Sequence, residues 1–222
     1  MPLDPDEPSI EETIEALVGD LQPVAPIRLW SGIATGLAFT ALAVAAVWLT
    51  VGFRPDLAAK HPAPIVVARA AVLLAGGYFL LIAAVRAALP GRADDGATTT
   101  GTFLLGILPI GLMGLLLDGI VARQRPSFVE LTAHITIRCL SISLATSLLI
   151  SAGLVLWMRR AAPTEIVRVR WLTGWAAAAL GIFAYSLFCP SQTMAFITTV
   201  YPAAMLVSAT AIRFAIPPLL RW

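Results

Sequence analysis

Long apolar stretches separated by short polar links dominate this chain of 222 residues. A bilayer core about 30 Å thick is crossed by a helix of roughly 20 mostly apolar residues. Strict alternation of apolar and polar residues, which transmembrane β-strands need, is missing. Runs of sufficient length occupy residues 29–53, 64–89, 102–122, 139–158, 171–188 and 194–220. The pattern therefore predicts an all-α, polytopic membrane protein with six transmembrane helices.

The segment before the first span has the pattern of a short amphipathic helix over residues 9–21. Its aliphatic residues share one stripe at helical spacing and are Ile10, Ile14, Leu17, Val18 and Leu21. The opposite surface carries Glu11, Glu12 and Glu15. Ser9 and Glu12 have the spacing of a capping box. We therefore divide the chain into a tail of residues 1–27 and a transmembrane domain of residues 28–222.

Composition and charge support this division. Hydrophobic residues make up 59% of the chain and charged residues 13%, whereas about a quarter of the residues of soluble proteins are charged. The first 27 residues contain seven acids and no Lys or Arg. A secretory signal needs a positive N-terminal region, so we expect this segment to stay attached as a tail.

The distribution of Lys and Arg predicts the orientation. One side of the predicted spans receives nine of these residues and the other side receives six. Cytoplasmic loops carry the excess of positive charge. Both termini are therefore expected in the cytoplasm.

The acidic tail suggests recognition of a partner protein. A helix this short is marginal alone in water, and an apolar stripe of this kind fits a groove on a partner. A helix lying on the membrane surface is the alternative, but such helices usually carry Lys and Arg. The stripe therefore favours a partner with a basic surface, which Glu11 and Glu15 would face.

The two cysteines form the second candidate site. Cys139 lies at the outer end of the fourth span and Cys189 at the outer end of the fifth, so their depths match on adjacent helices. The pair could form a reversible disulfide or bind a soft metal, or both could be small residues buried in packing. The absence of C-x-x-C argues against a dithiol oxidoreductase.

Charge inside the membrane gives a third candidate. Asp118 lies about one turn inside the outer end of the third span, and an embedded carboxylate suggests function. Arg69, near the outer end of the second span, is a possible partner, and both side chains are expected to reach water. They could form a structural ion pair, or line the path of a transporter or channel.

Nothing in the sequence predicts catalysis. His61 and His134, the only histidines, fall in predicted loops, which argues against a haem-carrying bundle. The common nucleotide, metalloprotease and hydrolase motifs are missing. We predict no enzyme, no catalytic residue, no resident metal site and no cofactor. Ser143, Ser147 and Ser151 recur on one face of the fourth span, where small residues favour close helix packing.

Several short segments, in order along nearly the whole chain, resemble the NrsF (negative regulator of sigma F) family. They include the acidic helix running into residues 20–24, residues 52–57, residues 138–140, residues 185–190 and residues 220–222. The resemblance implies an anti-sigma factor of the bacterial inner membrane whose tail holds an extracytoplasmic-function (ECF) sigma factor. Direct contact with nucleic acid is not expected.

The resemblance also implies that Cys139 and Cys189 sense a stress signal. In the family a His often precedes the second cysteine and an acid follows it, whereas this chain has Phe188 and Ser191 there. The difference favours oxidation of the thiols over metal coordination. The competing hypotheses are a small transporter or channel that depends on Asp118 and Arg69, and an enzyme that handles disulfides.

Overall fold

The computed structural model describes most of the chain. The described residues are 10–19, 27–52, 64–89, 96–113, 133–161, 163, 165–189 and 194–215. Within them the regular elements are all helices. They are α1 (Ile10–Gly19), α2 (Leu29–Val51), α3 (Pro64–Ala88), α4 (Gly96–Gly111), α5 (Ala133–Ala161), α6 (Ile166–Ser186) and α7 (Met194–Ala215).

Five helices of the described chain are long and apolar enough to cross a membrane. They are Leu29–Val51, Pro64–Ala88, Ile135–Ala161, Ile166–Ser186 and Phe196–Ala215. These confirm the apolar length of five of the six predicted spans. The third predicted span, residues 102–122, begins within α4, and its part after residue 113 lies outside the described residues. A sixth crossing therefore stays a prediction.

Helix α6 is the centre of the bundle. Helices α2, α3, α5 and α7 all pack against it, and α4 packs against α3. The middle of α6 consists of small residues that are fully buried, with residues 176–180 inaccessible on every side. A helix that is apolar all round is typical of a core position. The small side chains let four neighbours approach one axis.

Contacts between particular residues give the directions of the helices. Gly77 of α3 lies against Ala179 and Leu180 of α6, whereas Arg69 reaches Ser186. Helices α3 and α6 are therefore antiparallel. The Trp157 Nε1 atom of α5 donates to the Ser31 hydroxyl of α2 at 2.9 Å, which joins the end of α5 to the start of α2.

The serine face of α5 packs as the sequence predicts. Ser143, Ser147 and Ser151 are all buried. Beside them the Thr146 Oγ1 atom donates to the backbone carbonyl of Gly181 in α6 at 3.0 Å. Small residues thus bring the backbones of α5 and α6 close together, and a polar contact is added between them.

Three helices begin earlier than their apolar runs. Helix α4 begins at Gly96 and α5 at Ala133, each six residues before the predicted start, and α6 begins at Ile166, five residues before. The predicted basic loop of residues 159–170 is therefore mostly helical. Its arginines lie in the last turn of α5 and the first turns of α6. Long Arg side chains can extend from helix ends toward the interface.

Helices α3 and α4 meet at a pair of glycines. A Cβ atom on Gly106 would lie 2.8 Å from the Gly76 carbonyl oxygen and 2.6 Å from Leu80 Cγ. We expect Gly106→Ala to lower the free energy of unfolding by about 1–3 kcal/mol, because the helices must separate. Gly101 is on the same helix with nothing within 4 Å of such a Cβ. Gly101→Ala should leave the free energy of unfolding unchanged. Unfolding of both purified variants by sodium dodecyl sulfate measures the difference, and equal losses of stability in the two variants would contradict the close approach of the helices.

Candidate functional site

The two cysteines come together where α5, α6 and α7 meet. Cys139 lies in the second turn of α5, and Cys189 follows the end of α6 by three residues. Both side chains are fully buried thiols that are not joined in a disulfide. They are close enough to interact electrostatically. The prediction that the two sulfurs share one depth on neighbouring helices agrees with this arrangement.

A tight turn places Cys189 against the end of α6. The backbone N–H groups of Phe188 and Cys189 donate to the Tyr185 carbonyl, at 2.9 and 3.1 Å. The Ser186 hydroxyl donates to the Phe183 carbonyl at 2.7 Å. Bonds of this kind satisfy the last carbonyls of a helix. They hold Cys189 at the end of α6, where its side chain is buried inside the bundle.

Arg69 of α3 holds this turn from the other side. Its Nη2 atom donates to the carbonyls of Ser186 at 2.7 Å and Cys189 at 3.1 Å. Its side chain is 0% exposed. A buried guanidinium is stable only when it is well hydrogen-bonded, because burial of an unpaired charge is costly. The expectation that Arg69 reaches water is therefore wrong.

Two tyrosines complete the group around the sulfurs. The hydroxyls of Tyr185 in α6 and Tyr201 in α7 both neighbour the Cys189 side chain. The Arg69 Cζ atom lies 5.7 Å from the centre of the Tyr201 ring, within the range of a cation–π contact. Phe196 meets the same ring edge-on at 5.9 Å. We call Cys139, Cys189, Arg69, Tyr185 and Tyr201 the thiol cluster.

The thiol cluster connects four helices, because its members come from α3, α5, the end of α6 and α7. Oxidation to a disulfide would require the sulfur atoms to approach about 2.05 Å with a fixed dihedral angle. Close-packed interiors transmit such a displacement to their neighbours. Within the described part of the chain, no group of three or more His, Cys, Asp or Glu side chains could hold a metal ion.

Sequence reasoning missed Tyr201 and the clamping role of Arg69. Arg69 was noticed only as a possible partner of Asp118, which lies outside the described residues. Its observed acceptors are main-chain carbonyls, which every residue carries. Tyr201 carries a hydroxyl inside an apolar span, and this was the one available signal.

The tail forms helix α1, the second candidate region. Ile14 and Val18 lie one turn apart and are 52% and 59% exposed. Glu11 and Glu15 are exposed as well. The side chains of Ile10 and Leu17, and all of Leu21, lie outside the described residues. Partner binding by this helix stays a prediction.

Other predicted features fall on residues that the structure does not describe. His61 and the side chain of His134 are outside the described residues. Of the two side chains predicted to line the path of a transporter or channel, Arg69 is described and Asp118 is not. The Arg69 guanidinium is engaged with two carbonyls inside the bundle.

Comparison with known families identifies the chain as similar to one of them over nearly its whole length. A family model described as NrsF, negative regulator of sigma F, matches residues 17–222. The match begins within α1 and covers all the later helices. No curated protein and no solved structure matches the chain.

Proposed function

Because the chain belongs to the NrsF family of negative regulators of sigma F, we propose that it is an integral-membrane anti-sigma factor. In this proposal the tail sequesters an ECF-type sigma factor and releases it after a signal at Cys139 and Cys189. The family match carries the proposal. A regulatory family suggests a role without catalysis, and helices able to cross a membrane suit an anchored regulator.

The proposed sigma-binding surface is the aliphatic stripe of the tail. Ile14 and Val18 are half-exposed aliphatic side chains on one face of α1, and Glu11 and Glu15 are exposed beside them. Helix-in-groove recognition uses apolar anchors at this spacing. The stripe would enter an apolar groove on the sigma factor, and the carboxylates would face basic residues at its rim. Occupation of that groove would keep the sigma factor from RNA polymerase.

The proposed location is the bacterial inner membrane, with both termini in the cytoplasm. Seven of the nine Lys and Arg residues assigned to the inner side belong to the described residues, and their helix ends meet at one end of the bundle. These are Arg28, Arg86, Arg159, Arg160, Arg168, Arg170 and Arg213. We call this the basic end. The rule that positive charge stays inside supports a basic end in the cytoplasm, where a sigma factor is found.

The proposed signal is a change at the two sulfurs. An added thiol oxidant such as diamide would take two electrons and two protons from Cys139 and Cys189, leaving a disulfide and the reduced hydrazine. The new bond would pull the end of α6 toward α5, and the clamp of Arg69 would pass this movement to α3. The tail, or the basic end, would then adopt an arrangement that no longer holds the sigma factor. Such coupling requires two discrete packings of the bundle.

Thiol counting in cells tests the signal. We expect diamide to remove both maleimide-reactive thiols from the denatured protein and to induce a sigma-dependent reporter together. Cys139→Ser and Cys189→Ser should each still repress the reporter but lose the induction, because one thiol cannot close the bridge. The double serine variant is the control without any thiol, and immunoblotting of membranes checks that each variant accumulates. Normal induction in both single variants would remove the sulfurs from the mechanism.

A further inference from the structure

A cavity of about 280 Å³ lies between α4 and α6 at the basic end. Each helix lines it with residues from a single face, at spacings of three, four and seven on α6. Its lining includes Thr99, Thr100, Phe103, Arg168, Trp171 and Trp175. The thiol cluster is at the opposite end of these helices, so the cavity is a separate feature.

The cavity changes from polar to apolar along the axes of the helices. Its outer part is lined by Thr99 and Thr100, in the first turns of α4, and by Arg168, in the first turn of α6. Its deeper part has Phe103 and Trp175, which meet edge-to-face at 6.4 Å. Residues 168 and 175 are two turns apart, roughly 10 Å along a helix. The gradient follows the direction from the membrane surface toward its core.

Positive charge predominates around the outer part. The Arg213 guanidinium stacks on the Trp171 ring at 4.1 Å. Within the described chain, Glu165 is the one acid of the basic end. It pairs with Arg168 at 3.4 Å, with both side chains partly in solvent. An exposed pair of this length contributes little, so Arg168 can turn to another anion. Asp94 and Asp95 precede α4 in the sequence, outside the described residues.

We propose that this cavity binds one molecule of an anionic phospholipid. The phosphate would lie against Arg168, Thr99 and Thr100, and the start of an acyl chain would lie along Phe103 and Trp175. Basic pockets between transmembrane helices are suited to such head groups. Pockets for whole small-molecule ligands hold about 300–1,000 Å³, so only the phosphoglycerol region and the first carbons fit inside. A free phosphate would leave the aromatic half of the cavity without a ligand.

Lipid titration of the purified full-length protein tests this proposal. The protein is delipidated in an uncharged detergent, and bound lipid is counted by native mass spectrometry. The probes are phosphatidylglycerol and phosphatidylcholine with identical chains. We expect a single phosphatidylglycerol to be retained well above phosphatidylcholine. Arg168→Gln should weaken that binding about tenfold, because a charge-assisted hydrogen bond to the phosphate is lost.

Arg160→Gln provides the matched control. Arg160 is exposed at the same basic end but does not line the cavity. Its loss should change phosphatidylglycerol binding by about twofold or less, because long-range surface charge is screened. Equal losses in the two variants would show general attraction to the basic end and overturn the proposal. Equal retention of the two lipids would overturn it too. Displacement of phosphatidylglycerol by millimolar inorganic phosphate would reassign the cavity to small anions.

Discussion

Replacing Arg69 with Ala is expected to lower the free energy of unfolding by about 3 kcal/mol. The substitution removes two hydrogen bonds from a charged donor, each typically contributing about 1.5–3 kcal/mol in a protein interior. It also leaves the buried carbonyls of Ser186 and Cys189 without this donor. Polar contacts between transmembrane helices are often weaker than this range, so the expected loss takes the lower limit for each of the two hydrogen bonds. Unfolding of the purified protein by sodium dodecyl sulfate, followed by circular dichroism, measures the loss.

The same helix supplies the control. Arg86 is four turns or more from Arg69, near the other end of α3, and its side chain makes no hydrogen bond to another described residue. Arg86→Ala should therefore cost less than about 1 kcal/mol. In Arg69→Ala the Cys189 turn should also loosen, so that its thiol reacts faster with maleimide in the folded protein. A small loss of stability together with unchanged thiol reactivity would contradict the clamp.

Apolar run length predicted the general architecture, because a bilayer sets a minimum length for each crossing helix. It did not predict where α4, α5 and α6 begin. Hydropathy marks the part of a helix within lipid, whereas backbone hydrogen bonding continues into the polar interface. In the first turns of α6, Arg168 and Arg170 lie in that continuation. The basic residues at this end are therefore fixed to helices and line or surround a cavity.

The thiol cluster was predicted in part. The depth of Cys139 and Cys189 followed from counting residues from the span ends, because each residue of a helix advances a fixed distance. The role of Arg69 did not follow. Its acceptors are carbonyls 117 and 120 residues away along the chain. Backbone groups are chemically alike at every position, so only the packing of α3 on α6 selects these two.

The tail gives the other large expected effect. The double change Ile14→Asp and Val18→Asp should weaken capture of the sigma factor by roughly a hundredfold or more. Burial of each aliphatic side chain contributes about 1.5–3 kcal/mol, and 1.4 kcal/mol corresponds to tenfold in affinity. The introduced carboxylates would in addition have to enter an apolar groove, which is costly without a partner.

A second double variant tests whether added negative charge on α1 is enough to weaken capture when the aliphatic stripe is intact. Ala16→Asp with Gly19→Asp adds the same two negative charges to α1 outside the aliphatic stripe. Position 16 is opposite Ile14 and Val18 at helical spacing, and position 19 continues the row of Glu11 and Glu15. A side chain at Gly19 would meet nothing within 4 Å. Capture should be nearly normal in this variant. A transporter or channel makes the reverse predictions, namely a dispensable tail and an essential Asp118.

The most direct measurement is co-purification of an ECF-type sigma factor from the same organism with the 222-residue membrane protein, solubilised in mild detergent. The original chain and the Ala16→Asp/Gly19→Asp variant should both retain it. The Ile14→Asp/Val18→Asp variant and a chain lacking residues 1–27 should lose it while still reaching the membrane. Equal retention of the sigma factor by all four chains would contradict the account.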